Sequence, residues 1–579
     1  MQRSRGRTTA AVVAAVMLLA IPLVLTSCGR TAAEEIRYAV DGPLITYNTN
    51  TVLGAASGGS QAFARTLSGF GYHGPEGQVV ADHDFGSVSV VGREPLVLDY
   101  QIADDAVYSD GKPVTCDDML LAWASQAGRV PGFDAASRAG YADIAGVDCV
   151  AGQKKARVTF APNRQFVDYM QLFSATTMMP SHVIADDLGV DVTGAIQTND
   201  APVLERIAQA WNTIWDLKPG LDMAHYPSSG PYKLEWIRED GAVVLVANDR
   251  WWGAQPITKR IVVYPRGVDI QDRINNGSLD VVDVAAGSSG ALTIPDDYKR
   301  TDTPSAGIQQ LIFAGQGPLA APPARRALAL CTPRDLIAGN AGVQISNARL
   351  NPVNDDAFGI AEDGAAAPPP PPPTADDQTG NQDTGQGSPP PPPPPGPQFV
   401  KADPDAARAA LNNAPLTVRI GYQSPNARLS AAVGAIARAC APAGITVQEV
   451  ASENTGPQTL KNVEIDVLLA STGGAVGSGS SGSSVVDAFT LHTGNGDNLP
   501  GYSNPQVDGI IDNLAVTSDP KDVARLLTDG SRALWGDMPT MPLYRQQRTL
   551  LVSNDMYAVS SNPTRWGAGW NMDRWVRSQ

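Results

Sequence analysis

Four cysteines, Cys116, Cys149, Cys331 and Cys440, are the side chains best placed for covalent chemistry in the body of this 579-residue chain. An even number of thiols can close two disulfides in an oxidising compartment. Chain order suggests Cys116 with Cys149 and Cys331 with Cys440, a guess that spacing does not decide. Each closed loop would stabilise the fold by roughly 3 to 5 kcal/mol. Zinc is the rival use of these thiols, but their spacings are wide and the five histidines form no ligand pattern. Asp117 and Asp118 follow Thr115, which can cap a helix whose positive end suits two carboxylates. Capping accounts for them better than acid–base catalysis does. His182 has no acid–base partner nearby in sequence, so a structural hydrogen bond is expected. Trp211 and Trp215, four apart on a predicted helix, share one face and read as core. The run Ser471 to Ser484 is rich in Gly and Ser but lacks the lysine and spacing of a phosphate loop. No nucleophile, base and orienting group assemble, so neither an enzyme activity nor a cofactor or metal is expected.

The first residues set the compartment. Arg3, Arg5 and Arg7 precede an apolar run from Ala10 to Leu25, and Leu25-Thr26-Ser27-Cys28 closes it. This is a secretory signal, too short for a permanent span, and is not counted in the fold. It resembles a bacterial lipoprotein signal, which implies removal of residues 1–27 and lipid on Cys28, with 28–35 as the tether. The mature chain is then expected on the outer face of the cytoplasmic membrane. A formal net charge of -16 and the absence of a basic cluster argue against nucleic-acid binding.

The elements that must position the polar residues alternate between helix and strand, as in an α/β protein. Ser228 to Trp252 reads as a hairpin: Tyr232 to Ile237 and Val243 to Val246 are β-rich and Asp240-Gly241 supplies the turn. This hairpin is expected to be the structural centre of a first lobe. Further strands are predicted at Leu96 to Ile102, Lys155 to Phe160, Val281 to Val284, Ile308 to Phe313, Leu416 to Tyr422, Ile465 to Leu469 and Thr549 to Val552. Residues 361–398 carry Pro368 to Pro373 and Pro389 to Pro395 and read as an extended spacer that builds no core.

The order of segments, Tyr108 to Asp118, Met179 to Val183, Gly230 to Trp252, Gly277 to Asp280, Arg325 to Asp335, Asp405 to Leu411, Gly501 to Asp508 and Pro542 to Tyr544, resembles the extracytoplasmic solute-binding proteins of family 5. These are the oligopeptide and dipeptide receptors of ABC importers, and the likeness is to their actinobacterial lipoprotein type. The resemblance implies a two-lobed periplasmic-binding-protein fold, type II (cluster C), with an extra subdomain in the first lobe. It assigns 36–75, an inserted subdomain 76–210, 211–300 and 526–579 to lobe 1. Residues 301–525 make lobe 2, interrupted by 361–398. The implied function is capture of a peptide or other small solute between the lobes by a monomer that serves an ABC permease. Tyr108, Trp251 and Tyr502, in turns near the implied lobe edges, are candidate ligand contacts, with Asp487 as the candidate partner for an ammonium group. One departure bears on the ligand. The loop Ala470 to Ser484 holds no acidic residue where peptide receptors of the family carry their ammonium partner. A cell-envelope sensor or scaffold linked to glycolipid or lipoglycan assembly is therefore the alternative.

Overall fold

Two long strands, rather than a linker, join the halves of this molecule. The computed structural model describes residues 35–218, 220–350 and 399–578. Cys28, the signal segment and the proline-rich run 361–398 lie outside the described residues.

The chain opens with β1 (Glu35–Val40), followed by a small hairpin of β2 (Gly71–His73) and β3 (Val79–Ala81). Next, β4 (Gly86–Arg93), β5 (Leu96–Ile102), β6 (Ile144–Cys149) and β7 (Lys155–Phe160) form a separate four-stranded antiparallel sheet in the order β4-β5-β7-β6. Buried and less buried residues alternate along β5, so one face of that sheet packs inward. The helix Cys116–Gln126 lies nearby, its first turn built as sequence suggests. Asp118 accepts from the Thr115 amide at 3.1 Å, and its other oxygen accepts from the Ser181 amide at 2.8 Å. His182 finds its partner in Asp110, 2.9 Å away, and Trp211 and Trp215 are both core residues.

The main sheet adds β8 (Tyr232–Ile237), β9 (Val243–Ala247), β10 (Arg260–Tyr264), β11 (Val281–Ala285), β12 (Tyr298–Phe313), β13 (Leu416–Gln423), β14 (Ile445–Ser452), β15 (Val467–Ala470) and β16 (Thr540–Ser553). Its ten strands run β14-β13-β15-β12-β16-β11-β1-β10-β9-β8. β1 is parallel to both β10 and β11, and β13 is parallel to both β14 and β15. The antiparallel pair β12 and β16 lies between these two parallel groups. Residues Tyr298 to Pro304 pair with Ser553 to Gln547 beside β11, whereas Ile308 to Ile312 pair with Arg545 to Thr540 beside β15. The register breaks between Pro304 and Ile308, so both strands cross from one half-sheet to the other at the same level. Two short strands, β17 (Met556–Tyr557) and β18 (Val576–Arg577), close the tail against the first half.

Two expectations change here. The β8–β9 hairpin, expected as the structural centre of the first lobe, forms the margin of the ten-stranded sheet, because among the described residues β8 pairs only with β9. The strands expected over Ile308 to Phe313 and Thr549 to Val552 are fragments of strands 16 and 14 residues long. Pro304 and Pro542, which lack an amide donor, hide their continuity in the sequence.

Disulfides join Cys116 to Cys149, with Cα atoms 5.6 Å apart, and Cys331 to Cys440, with Cα atoms 4.9 Å apart. Peptide mapping without reduction should recover these two linked pairs; four free thiols would exclude both. Cys331 and Cys440 enclose the longer loop, 109 residues in sequence. Replacing both by alanine is expected to lower the unfolding free energy by about 3 to 5 kcal/mol, read from urea midpoints.

Candidate functional site

In open α/β sheets ligands bind outside the carboxyl ends of the strands. Here β1, β10 and β11 end on one side of the strand crossing, and β13 and β15 end on the other. The space between those ends is therefore the candidate site. On the first side Asp41 follows β1 and forms an ion pair with Arg266. On the same side Asp283 of β11 pairs with Arg548 of β16 at 2.6 Å, both buried. Asp283 also accepts from Gln61 Nε2 at 3.1 Å and from the Ala568 amide at 2.6 Å. Such saturation is what allows a buried pair to persist, since desolvation opposes it.

The opposite side reaches across. Arg266 Nη1 donates to the Pro425 carbonyl at 2.8 Å, and Arg428 Nη1 donates to the Ala286 carbonyl at 2.9 Å. From the Gly- and Ser-rich loop after β15, Ser478 Oγ donates to the Pro563 carbonyl at 2.9 Å, while the Arg565 amide donates to the Ser480 carbonyl at 3.0 Å. The loop needs small residues because its backbone docks on the other half. Gly482 has φ +86°, and a Cβ there would stand 2.3 Å from the Gly77 carbonyl oxygen. The halves are closed on one another.

Within the second half, beside its β12 and β16 segments, a cavity of about 20 Å³ is bounded by Gln310, Arg349, Thr472, Asp487, Asp497 and Thr540, among others. Arg349 is buried, and its guanidinium lies 4.1 Å over the Trp535 ring. Its Nη1 donates to the Thr540 carbonyl and, at 3.1 Å, to Thr540 Oγ1. Its Nε and Nη2, the edge that grips a carboxylate with two parallel bonds, meet no acceptor among the described residues. Burial, with help from the Arg334 guanidinium, lowers its proton affinity well below the usual arginine range. Across the cavity Asp487 accepts from Ser480 Oγ at 2.5 Å and from the Ser481 amide at 2.8 Å. Burial raises its carboxyl pKa against the pull of those bonds. Half-buried Asp497 accepts from Asn495 Nδ2, and desolvation pushes its carboxyl up to about 7. The Arg565 guanidinium opposes that rise and the Asp487 charge adds to it.

Other donors on the cleft walls are also without an acceptor among the described residues: Gln309 Nε2 and Trp566 Nε1. His73 stacks on Trp566 at 3.5 Å, and burial takes its imidazole down to about 3, so it is neutral. A buried donor left unpaired costs about 1 to 3 kcal/mol. Each is a donor that a bound acceptor would complete. With a bare guanidinium edge and two carboxylates on one cavity, the walls suit a molecule that carries both an anionic and a cationic group.

Of the four ligand contacts expected from sequence, Asp487 alone borders this cavity. Tyr108 is buried with its ring 5.0 Å from His182. Trp251 is buried as well; its indole donates to the Ala254 carbonyl at 3.1 Å and it packs 4.6 Å from Trp252. Tyr502 donates to Asp537 at 2.6 Å. The four are not brought together. Arg349 and Asp497 escaped the sequence reading. Arg349 stands in the irregular stretch before the proline-rich run, and Asp497 lies in a polar loop where a carboxylate is unremarkable.

Residues 91–496 match the family model described as bacterial extracellular solute-binding proteins, family 5 middle. An uncharacterized lipoprotein of Mycobacterium tuberculosis is 63% identical over 556 residues, 95% of this chain and 95% of that one. Among solved structures, a periplasmic EDTA-binding protein superposes with a TM-score of 0.70 at 17% identity, covering 94% of this chain and 97% of the other. An oligopeptide-binding protein from Thermus thermophilus in complex with a pentapeptide superposes with a TM-score of 0.69 at 13% identity, covering 94% and 96%. These last two likenesses establish the fold alone.

Two outcomes follow from the closed geometry. Gly482→Val should hold the halves apart and raise the radius of gyration measured by X-ray scattering, whereas an unchanged radius would show that the loop tolerates a side chain. For Asp497, a folded-state pKa of about 7 against 3.8 unfolded means that its protonated form favours the fold. That contribution is complete below about 4 and is lost as pH rises through about 7. The melting temperature of Asp497→Asn, relative to the parent, should therefore climb between pH 4 and 7, and a flat difference would remove the assignment.

Proposed function

Because the chain belongs to the bacterial extracellular solute-binding proteins of family 5, as an extracytoplasmic lipoprotein with the two-lobed fold, we propose that it captures a small zwitterionic solute between its lobes. A short peptide is the leading case, and delivery to an ABC permease is the use. The observation that carries this reading is the Nε–Nη2 edge of buried Arg349, which meets no acceptor among the described residues, on the same cavity of the second half as Asp487 and Asp497. A carboxylate would take the guanidinium edge, and an ammonium group would lie toward the two aspartates. A peptide's two ends supply that pair.

Capture requires movement, since a cavity of about 20 Å³ holds little more than one water. The crossing at Pro304 to Ile308 and at Arg545 to Gln547 is where the lobes would hinge, with ligand shifting an open and closed equilibrium. This supports a lobe limit near residue 301. The limit at 525 falls inside the helix Pro520–Asp537, so the strand crossing on β16 is the better place for the return. Tyr108, Trp251 and Tyr502 enter this reading as framework behind the walls. Lipid on Cys28 would hold the monomer at the membrane.

Native mass spectrometry of the delipidated protein from its own host should find a retained peptide or amino-acid-sized zwitterion. Arg349→Ala and Asp487→Asn should each weaken its binding at least about tenfold, a difference of about 1.4 kcal/mol. Unchanged affinity in both variants would overturn the site. A retained glycolipid fragment would overturn the ligand class and move the reading to an envelope sensor or scaffold.

A further inference from the structure

β1 enters the sheet at Glu35, and this point is fixed. The Glu35 carbonyl accepts from Arg577 Nη1 at 3.2 Å, and Arg577 is itself held by Asp280 and, at 3.2 Å, by Asp555. Arg577 belongs to β18, whose Val576 pairs with Tyr557 of β17. The residue just before β18, Trp575, accepts through its carbonyl from Thr258 Oγ1 at 2.9 Å. Two large apolar side chains thus adjoin this end of the sheet, Tyr557 at 58% and Ile257 at 66% exposure. Lys259 and Arg574 are exposed beside them, as is Asp555.

A single exposed apolar residue needs no explanation. What distinguishes this pair is its distance from the anchor. Cys28 is seven peptide steps before Glu35, and seven extended residues reach at most about 25 Å. If Cys28 carries lipid, the start of β1 cannot stand further than that from the bilayer, which keeps the surface around β18 within reach of the lipid headgroups. Tyrosine and aliphatic side chains partition well to that depth. The mixed charges there make no demand for anionic lipid.

We propose that the end of the sheet around β18 is the membrane-contacting face, with Ile257 and Tyr557 entering the headgroup layer. The proposal rests on the lipoprotein reading and is independent of which solute the cleft takes. Its consequence is an orientation. The six residues of β1 run from this face to Asp41, about 20 Å at strand rise, so the cleft stands at the far end of the strand from the bilayer.

The test uses the full lipidated chain in phosphatidylcholine vesicles, compared by hydrogen exchange with a soluble chain that begins at residue 29. Amides in 254–259, 555–558 and 575–578 should exchange several-fold more slowly on vesicles. The double variant Ile257→Ser, Tyr557→Ser should lose that slowing while staying attached through its lipid. Both side chains are more than half exposed, so melting temperature and solute affinity should stay at parental values, which separates this failure from failure of the cleft assignment. A nitroxide on Ile257→Cys, read for depth by oxygen accessibility, gives a second measurement. Unchanged exchange in those segments, slowing instead at Gly267 to Ile270, or no lipid mass on the Cys28 peptide would overturn the proposal.

Discussion

The buried pair of Asp283 and Arg548 is the constraint on which the other parts depend. Arg548 lies on β16 just past the crossing, and Asp283 lies on the neighbouring β11. The same carboxylate takes the amide of Ala568 from the tail and the side chain of Gln61 from a segment before β2. Three remote stretches of chain therefore converge on one charge. A lone carboxylate at this depth would be strongly unfavourable; the guanidinium and the two donors together make it tenable. Gly567 shows how tight the arrangement is, since a Cβ there would lie 2.2 Å from Asp283 Oδ2. Any variant that removes one partner leaves the others with an uncompensated buried charge.

Closure is built from a different kind of contact. Across the cleft the bonds run mainly from arginine and serine side chains to backbone carbonyls, as with Arg266 to Pro425 and Ser478 to Pro563. Individually the serine bonds are worth about 1 kcal/mol and the arginine bonds about 1.5 to 3 kcal/mol, magnitudes suited to an equilibrium that a ligand can shift. The Asp283–Arg548 and Asp41–Arg266 pairs stay within one half, while the less buried pairs Arg164–Asp512 and Lys461–Asp134 span the gap beside these bonds. Unpaired donors at Gln309 and Trp566 and the bare edge of Arg349 leave that closed state incompletely satisfied among the described residues. A solute that supplied acceptors there would favour closure through its own contacts.

Local chemistry made several elements readable from the chain alone. Thr115 and Asp118 announce a helix start, and Asp118 accepts from the Thr115 amide there as the residue types predict, while the Thr115 hydroxyl donates to Asp117. Asp240-Gly241 gives the β8–β9 turn, with Gly241 at φ +78°. Other features were out of reach because they depend on what lies across space. The hairpin's place at the sheet margin follows from pairing with β10, which no property of Ser228 to Trp252 encodes. The full lengths of β12 and β16 were hidden by Pro304 and Pro542, which sequence rules read as strand ends. Arg349 looks like any surface arginine until Trp535 and Thr540 are seen to enclose it.

What the sequence by itself determined was the class of molecule: an exported α/β chain with a lipoprotein signal, whose ordered segments resemble the family 5 receptors. Those are properties of short stretches, set by hydrophobic periodicity, turn residues and the charge of the first residues. What only the tertiary structure decided was the site. Asp487, Asp497 and Arg349 are separated by up to 148 residues in the chain and meet where their segments fold beside β12 and β16 of the second half. The edge of Arg349 that meets no acceptor among the described residues depends on what surrounds it in space, and the raised Asp497 pKa depends on excluded water. Neither desolvation nor the lack of a partner is written in residue type or spacing, because both arise only when distant segments close over a group and take its solvent away.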